Sequence, residues 1–432
     1  MKDTFFKSTL ILIIGGACIK ALGMFIKIIM SRIVGLDGMS LYMLVFPTFS
    51  LFMSISQLGL PTAISKIIAE DRHNNKNLLL SIIPIMFLYN IFLIVILFLI
   101  APILTNFLND ERALYPIMSI AIVLPFDSLS SVLRGYFFGK QKMFPHIISL
   151  LTEQLVRLSL IILFVPNMTS KGIVEVVSFL IGINMISELC SSIVLILFIK
   201  NKKIKISDFF INRKEVRGVF SIAIPTTFSR LIGSISYFLE PIIITYSLIN
   251  QGYNSNFIIT EYGLIEAYVL PLLLIPSFLT NALSSAIIPD ISKKYANKDF
   301  KGIKRRIKQV LGITISIGLI ASILLFTNPS FFLDLIYNVN NGANYIKILS
   351  LFFIILYIES TLESILQAIG KAKKIMVYNL ICTFIKLFSI YILSYLKIGL
   401  FNLIYAIIIS IIVTTFFYTR EIYNSLYKKR TY

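Results

Sequence analysis

Lys20 and Arg230 each stand near the middle of a long apolar stretch, at roughly 9–30 and 219–246. Each is followed three residues later by glycine, in Lys20-Ala21-Leu22-Gly23 and Arg230-Leu231-Ile232-Gly233. A cation within hydrocarbon costs about 3 kcal/mol or more unless it faces protein or water, which makes it a functional-site candidate by default. The chemistry such residues offer is anion binding. Arg presents a planar fork to phosphate oxygens and Lys a mobile point charge, and both act more strongly in a low-dielectric cavity than at a surface. Lys27 and Arg32 extend the set, with Lys27 seven residues past Lys20 on the same helix face. The competing reading has Lys27 and Arg32 snorkelling to the outer interface, and Lys20 and Arg230 paired with buried carboxylates. Two mid-span cations in matching places point to a duplicated membrane protein with a basic cavity between its halves.

The acids within apolar stretches are Asp127, Glu153, Glu188, Glu240, Glu266, Glu359 and Glu363. Glu153 and Arg157 stand at i,i+4 and most simply pair with each other. Asp127 and Arg134 are one heptad apart and suit an intrahelical or interhelical network. Glu240 lies ten residues beyond Arg230 on a similar face, placed to bind a coupling cation or to gate by pairing with Lys27 or Arg32. Glu359 and Glu363 are like charges at i,i+4, costly unless one holds a proton or a cation lies between them. Asp127, Glu240, Glu359 and Glu363 are therefore the candidates for ion coupling or gating. No catalytic constellation accompanies them. The two histidines, His73 and His146, are isolated, and no glycine-rich phosphate loop ends in Lys-Ser/Thr. Cys18, Cys190 and Cys382 form no metal, redox or disulfide spacing. The expectation is a non-enzyme with no cofactor and no metal site. Uphill work by such a chain must draw on an H+ or Na+ gradient or on consumption of the product.

The elements that position these residues follow from composition. Mean hydropathy is +0.87, with 57% hydrophobic and 14% charged residues, outside the range of soluble globular chains. The apolar residues fall in blocks of about 20, the length that crosses a bilayer as a helix, and the short alternating segments of outer-membrane barrels are absent. The fold class is all-α polytopic membrane protein, with twelve spans centred near 19, 53, 90, 125, 155, 187, 233, 276, 318, 356, 385 and 408. With both termini cytoplasmic, 29 of the 40 Lys and Arg fall on inner segments and about 5 on outer loops. This positive-inside pattern accounts for most of the +19 net charge, so the basic loops read as topology signals and anionic-lipid contacts rather than nucleic-acid sites. The cytoplasmic membrane is the expected location and a monomer the expected state. The start Met1-Lys2-Asp3 leads into a span without a small-residue cleavage site, so the first helix is expected to be retained.

The basic stretch at 200–217 divides the chain into an N-lobe at 1–200, a cytoplasmic linker at 201–215 with a short amphipathic helix at 208–211, and a C-lobe at 216–432. The halves repeat. Ile64-Ser65-Lys66 recurs as Ile291-Ser292-Lys293, and Gly139-Lys140-Gln141-Lys142 as Gly370-Lys371-Ala372-Lys373. Six spans return the chain to its starting side, so the two six-helix lobes are parallel repeats, related by an axis along the membrane normal, with substrate sites expected at their interface. Pro47, Pro225, Pro241, Pro271 and Pro276 fall within spans. Bends at Pro47 and at Pro271/Pro276 are the expected sites of reshaping.

Ser31-Arg32-Ile33-Val34-Gly35-Leu36-Asp37-Gly38 through Leu41-Tyr42, and Gly59-Leu60-Pro61-Thr62-Ala63-Ile64-Ser65-Lys66, carry a resemblance that is densest over the first 75 residues. The chain resembles the stage V sporulation protein B and oligosaccharide flippase branch of the multidrug/oligosaccharidyl-lipid/polysaccharide (MOP) exporter superfamily. Lipid II flippases of that superfamily carry Ser-Arg-x-x-Gly-x-x-Arg in the first helix, with arginines facing the central cavity. Here Lys20 and Gly23 keep part of that pattern, Ile26 replaces its second arginine with Lys27 following, and Ser229-Arg230-x-x-Gly233 matches its start in the seventh helix. The resemblance implies a MATE-like, two-lobed flippase with alternating access. Its implied substrate is a polyprenyl-pyrophosphate-linked, anionic cell-envelope glycan precursor whose lipid tail stays in the bilayer. Lys20, Lys27, Arg32 and Arg230 would be the head-group contacts. Two rivals stay open: a cation-coupled multidrug exporter of the same superfamily, and a non-transporting scaffold that recruits envelope synthases. The absence of Asp and Glu from the first two spans favours an anionic substrate over a cationic drug.

Overall fold

The structure is a computed structural model. It describes residues 2–70, 75–199 and 213–426, with side chains from residue 15 onward except at 75–77, 213–215, 229 and 285–286. The expected amphipathic helix at 208–211, most of the expected linker and His73 lie outside the described residues. Every regular element among the described residues is helical. The chain forms two compact units, Met1–Ile242 and Ile243–Tyr432.

The first unit contains α1 (Lys2–Ser56), α2 (Leu60–Ala69), α3 (Asn75–Leu108), α4 (Leu114–Ser119), α5 (Leu124–Gly139), α6 (Met143–Met168), α7 (Ile173–Leu197) and most of α8 (Arg213–Ile249). The second holds α9 (Ser255–Leu264), a π turn at Ile265–Val269, α10 (Leu270–Leu274) and α11 (Ser277–Ala296). It continues with α12 (Phe300–Thr327), α13 (Pro329–Tyr337), α14 (Ala343–Ala368), α15 (Ala372–Ser394) and α16 (Phe401–Leu426). Nine helical stretches among the described residues are long and apolar enough to cross a membrane, and the bent pair 111–122 with 124–139 makes a tenth. The remaining two spans expected from the sequence, centred near 19 and 53, fall on α1 on either side of Gly35. At φ +72° this glycine interrupts the helical backbone.

The internal repeat is visible in how each unit packs. In the first, α2 lies so close to α5 that a Cβ on Gly139 would stand 2.7 Å from the Ser65 carbonyl, and one on Gly135 2.7 Å from that of Pro61. Small residues allow this backbone approach, as they do between membrane helices generally. Ile64 and Ile67 of α2 meet Val132, Tyr136 and Phe137 of α5 in the core. In the second unit the same motif pair meets through a hydrogen bond, with Ser292 Oγ donating to the Ala368 carbonyl at 3.0 Å. Ile287 and Ile291 of α11 bury there against Leu362, Ile365 and Leu366 of α14.

Each unit also contains a broken span. α1 stops at Ser56 and α2 restarts at Leu60, with Leu58 and Gly59 at φ +46° and +59°. The helix continues through Pro47 and ends before Leu58 and Gly59, whose positive φ no helix accommodates. In the second unit the helix runs through the π turn and Pro271 as far as Leu274 and restarts at Ser277, with Pro276 at the break. Carbonyls beside the breaks gain side-chain donors. Tyr89 donates to Ile55 at 3.3 Å and Ser128 to Ser56 at 3.1 Å, while Tyr357 donates to Leu273 at 2.6 Å. Broken backbone at membrane depth persists only where it is satisfied in this way.

Candidate functional site

The break after α1 places Gln57 between two charged groups from other helices. Its Nε2 donates to both carboxylate oxygens of Asp127 on α5, at 3.2 and 3.1 Å. Its Oε1 accepts from Arg230 Nη2 on α8 at 3.3 Å. An amide between a carboxylate and a guanidinium has one sensible orientation, nitrogen to the anion and oxygen to the cation, and Gln57 takes it. Ser56 Oγ supplies the third donor to Asp127 at 3.2 Å. Asp127 is 2% exposed, and its side-chain donors are all neutral. Arg230 is exposed. α8 is held against the break by Gly59, whose added Cβ would meet the Ala223 carbonyl at 2.7 Å, and by Ser54 and Ser234, whose hydroxyls lie 2.8 Å apart.

About two helical turns further along α5, the polarity is resolved differently. Arg134 Nη2 donates to Glu153 of α6 at 2.7 Å, to Glu188 of α7 at 2.9 Å and to Ser191 at 2.9 Å. Arg157 closes on the other oxygen of Glu153 at 2.6 Å, the i,i+4 pair expected from the sequence. Ser130 donates to Glu188 at 2.5 Å. Two cations and two anions, mostly withdrawn from solvent, balance each other here and tie α5, α6 and α7 together. The heptad spacing of Asp127 and Arg134 does not make them direct partners. Arg134 turns into the ionic cluster and Asp127 turns to the helix break.

Of the other expected site residues, Lys20 and Arg32 are exposed on α1 and Lys27 is half-exposed. Glu240, on α8 within the first unit, is 2% exposed. Glu359 and Glu363 are half-buried on α14, and Gln367 Nε2 donates to Glu363 Oε1 at 3.0 Å, continuing the same helix face. At Thr361, on the same helix, a hydroxyl cluster forms with Ser284 at 2.9 Å and Thr314 at 3.2 Å. No cluster of metal-ligating side chains occurs among the described residues.

The sequence profile described as Polysaccharide biosynthesis protein matches residues 5–295. Stage V sporulation protein B of Bacillus subtilis (strain 168) is 34% identical over 405 residues, which span 91% of this chain and 78% of that protein. The chain belongs to the polysaccharide biosynthesis protein family. A second profile, MatE, matches residues 267–392. Lipid II flippase MurJ of the same organism is 24% identical over 422 residues, 90% of this chain and 77% of that one. Among solved structures, a multidrug resistance MATE family transporter of the MOP superfamily superposes with a TM-score of 0.70 at 15% identity, covering 95% of this chain and 96% of that chain. A lipid II flippase MurJ structure gives 0.70 at 14%, covering 96% and 87%. The fold is therefore MATE-like, and this family member is a multi-pass membrane transporter of the flippase class.

Sequence reasoning named Asp127 and Arg230 and missed Gln57, which joins them. A neutral residue carries no signal in charge or hydropathy. Its only mark is its place immediately before Leu58-Gly59, where the helix ends. Ser56, Ser130 and Ser191 were missed for the same reason.

Proposed function

We propose that this family member flips a polyprenyl-pyrophosphate-linked oligosaccharide or peptidoglycan precursor across the cytoplasmic membrane. It does so by alternating access between six-helix lobes at 1–200 and 216–432, with both termini inside. The observation that carries this reading is the state of Arg230. It is an exposed guanidinium in mid-span whose partner is the neutral amide of Gln57 rather than a carboxylate. Its charge is not cancelled locally, so it is available to the oxygens of a diphosphate. Lys20, Lys27 and Arg32 supply further cations for the head group, and the lipid tail stays in the bilayer.

The same geometry gives coupling a physical cause. An anion that takes Arg230 removes it from Gln57 Oε1 and frees the amide that holds Asp127. A buried carboxylate that loses donors is driven to recruit a proton or a cation. Asp127 is thus the first residue we assign to coupling with H+ or Na+, with Glu240, Glu359 and Glu363 as further carriers or gates. The names of two relatives, a sporulation protein and a lipid II flippase, support a spore or cell-envelope polysaccharide precursor as the cargo.

The test is flipping of a fluorescent polyprenyl-diphosphate lipid in reconstituted vesicles. Arg230→Ala and Lys20→Ala, alone and together, are expected to reduce the rate about tenfold or more, the loss of one charge-assisted contact apiece. Unchanged flipping in all three variants refutes the assignment. The cation-coupled multidrug exporter is favoured by one observation, the half-buried Glu359/Glu363 pair inside the MatE-matched segment. Resistance to cationic dyes that is lost in Glu359→Gln would replace our reading with that one.

A further inference from the structure

A groove of about 520 Å³ opens between α11 and α12 in the second unit, lined by Leu283, Ile287, Arg306, Gln309, Val310 and Ile313. Its polar members, Arg306 and Gln309, stand nearly one turn apart at one end of an otherwise apolar trough. Asp290 of α11 faces them. One of its carboxylate oxygens is taken by Lys294, and the other lies 3.2 Å from Arg306 Nε. One carboxylate between two cations leaves a net positive rim. Arg306, with 45% of its side chain exposed, also reaches Gln309 at 3.4 Å.

The surroundings reinforce the sign. From 293 to 308 the chain carries eight Lys and Arg against a single acid, Asp299, which caps α12 by accepting from the Gly302 N–H at 2.8 Å. After Lys308 the helix turns apolar. Ile313 and Ile320, seven residues apart on one face, are 49% and 62% exposed. The groove lies where charged turns give way to an apolar span, with an exposed hydrocarbon track leading away from a cationic end.

We propose that this groove binds an anionic phospholipid, its phosphate on Arg306 and the Gln309 amide and one acyl chain along Val310, Ile313 and Ile320. Basic pockets between membrane helices recognise such head groups by the same combination of charge and apolar wall. The anionic class is favoured over the zwitterionic because the rim carries two cations, Lys294 and Arg306, against the single carboxylate of Asp290, which leaves a net positive charge that repels an ammonium head group. The groove is built from the second unit alone, whereas Arg230 belongs to the first, and the proposal does not depend on which glycan is flipped.

Lipid binding to the purified full-length chain, followed by native mass spectrometry and by thermal shift in detergent, provides the test. Phosphatidylglycerol is expected to bind and raise the melting temperature, with phosphatidylcholine weaker. Arg306→Gln should bind phosphatidylglycerol about fivefold more weakly, the effect of removing one cation beside an anionic lipid. Asp290→Asn, which frees Arg306, should bind as well as the unsubstituted chain or better. Lys140→Gln combined with Lys142→Gln, on a basic turn of the first unit, should bind unchanged. Four results overturn the proposal: equal binding of both lipids, an equal shift with inorganic phosphate alone, no loss in Arg306→Gln, or a loss in Asp290→Asn that matches Arg306→Gln. The last would reduce Arg306 to an ion pair that holds the two helices together.

Discussion

Arg134 donates to two carboxylates and a hydroxyl inside the first unit, so removing it leaves Glu188 with Ser130 alone. Breaking one partner out of a buried ionic cluster costs about 3–5 kcal/mol, because the remaining charge stays buried. Arg134→Leu is expected to show this as a large fall in thermal stability in detergent, and adding Glu188→Leu to restore part of it. Simple additivity of the two losses would mean that the groups act independently. Gln57→Leu makes a contrasting prediction. It removes two of the three hydrogen bonds to Asp127 and the acceptor for Arg230, at about 1.5–3 kcal/mol. Flipping should drop about tenfold or more at unchanged expression, with Gln57→Asn intermediate; wild-type rates in Gln57→Leu would dissolve the link between cation and carboxylate. The contrast also marks what could be read from the sequence. The Glu153–Arg157 pair was legible because four residues bring two charges onto one helix face. The partners of Gln57 lie 70 and 173 residues away along the chain, and no local pattern announces them.

Among elements, the broken span of the first unit depends most on one residue. Gly59 has φ +59°, and a Cβ there would press on the Ala223 carbonyl of α8. Gly59→Ala should therefore cost about 1–3 kcal/mol of backbone strain and push α8 away from the break. Cysteines introduced by Ser54→Cys and Ser234→Cys, at positions whose hydroxyls are 2.8 Å apart, report the distance. They should form a disulfide in an otherwise native chain and form it poorly with Gly59→Ala; equal yields would refute the spacing role. The repeat was legible here because Ile-Ser-Lys and Gly-Lys recur in order, and in each unit the two motifs pack on each other. The position of the first break was not. Proline is a visible signal, so the expectation of reshaping attached to Pro47, whereas nothing in the sequence marked Leu58-Gly59 as the place where α1 gives way to α2.

At the scale of the whole molecule, the membrane class followed from hydropathy alone, and the placement of Lys and Arg gives an expected orientation with both termini inside. Orientation makes a direct prediction. In a chain lacking Cys18, Cys190 and Cys382, Ser170→Cys should react with an impermeant thiol reagent on intact cells, and Lys373→Cys only after permeabilisation. The reverse pattern would invert the topology. Individual spans were harder to delimit, since α1 carries cations at 20, 27 and 32 and α4 with α5 bends between 122 and 124. The ionic cluster of the first unit has a consequence for how the protein is made. α5 brings Asp127 and Arg134 into the bilayer within 16 residues, and each charge near a helix centre opposes insertion by about 2.5–3.5 kcal/mol. The partners of Arg134 reside on α6 and α7, which emerge from the ribosome later. A nascent α5 released alone would find Ser56 and Gln57 for Asp127 already made but would meet lipid with Arg134 bare, so the translocon is expected to retain it until the next two helices arrive and the three can enter together.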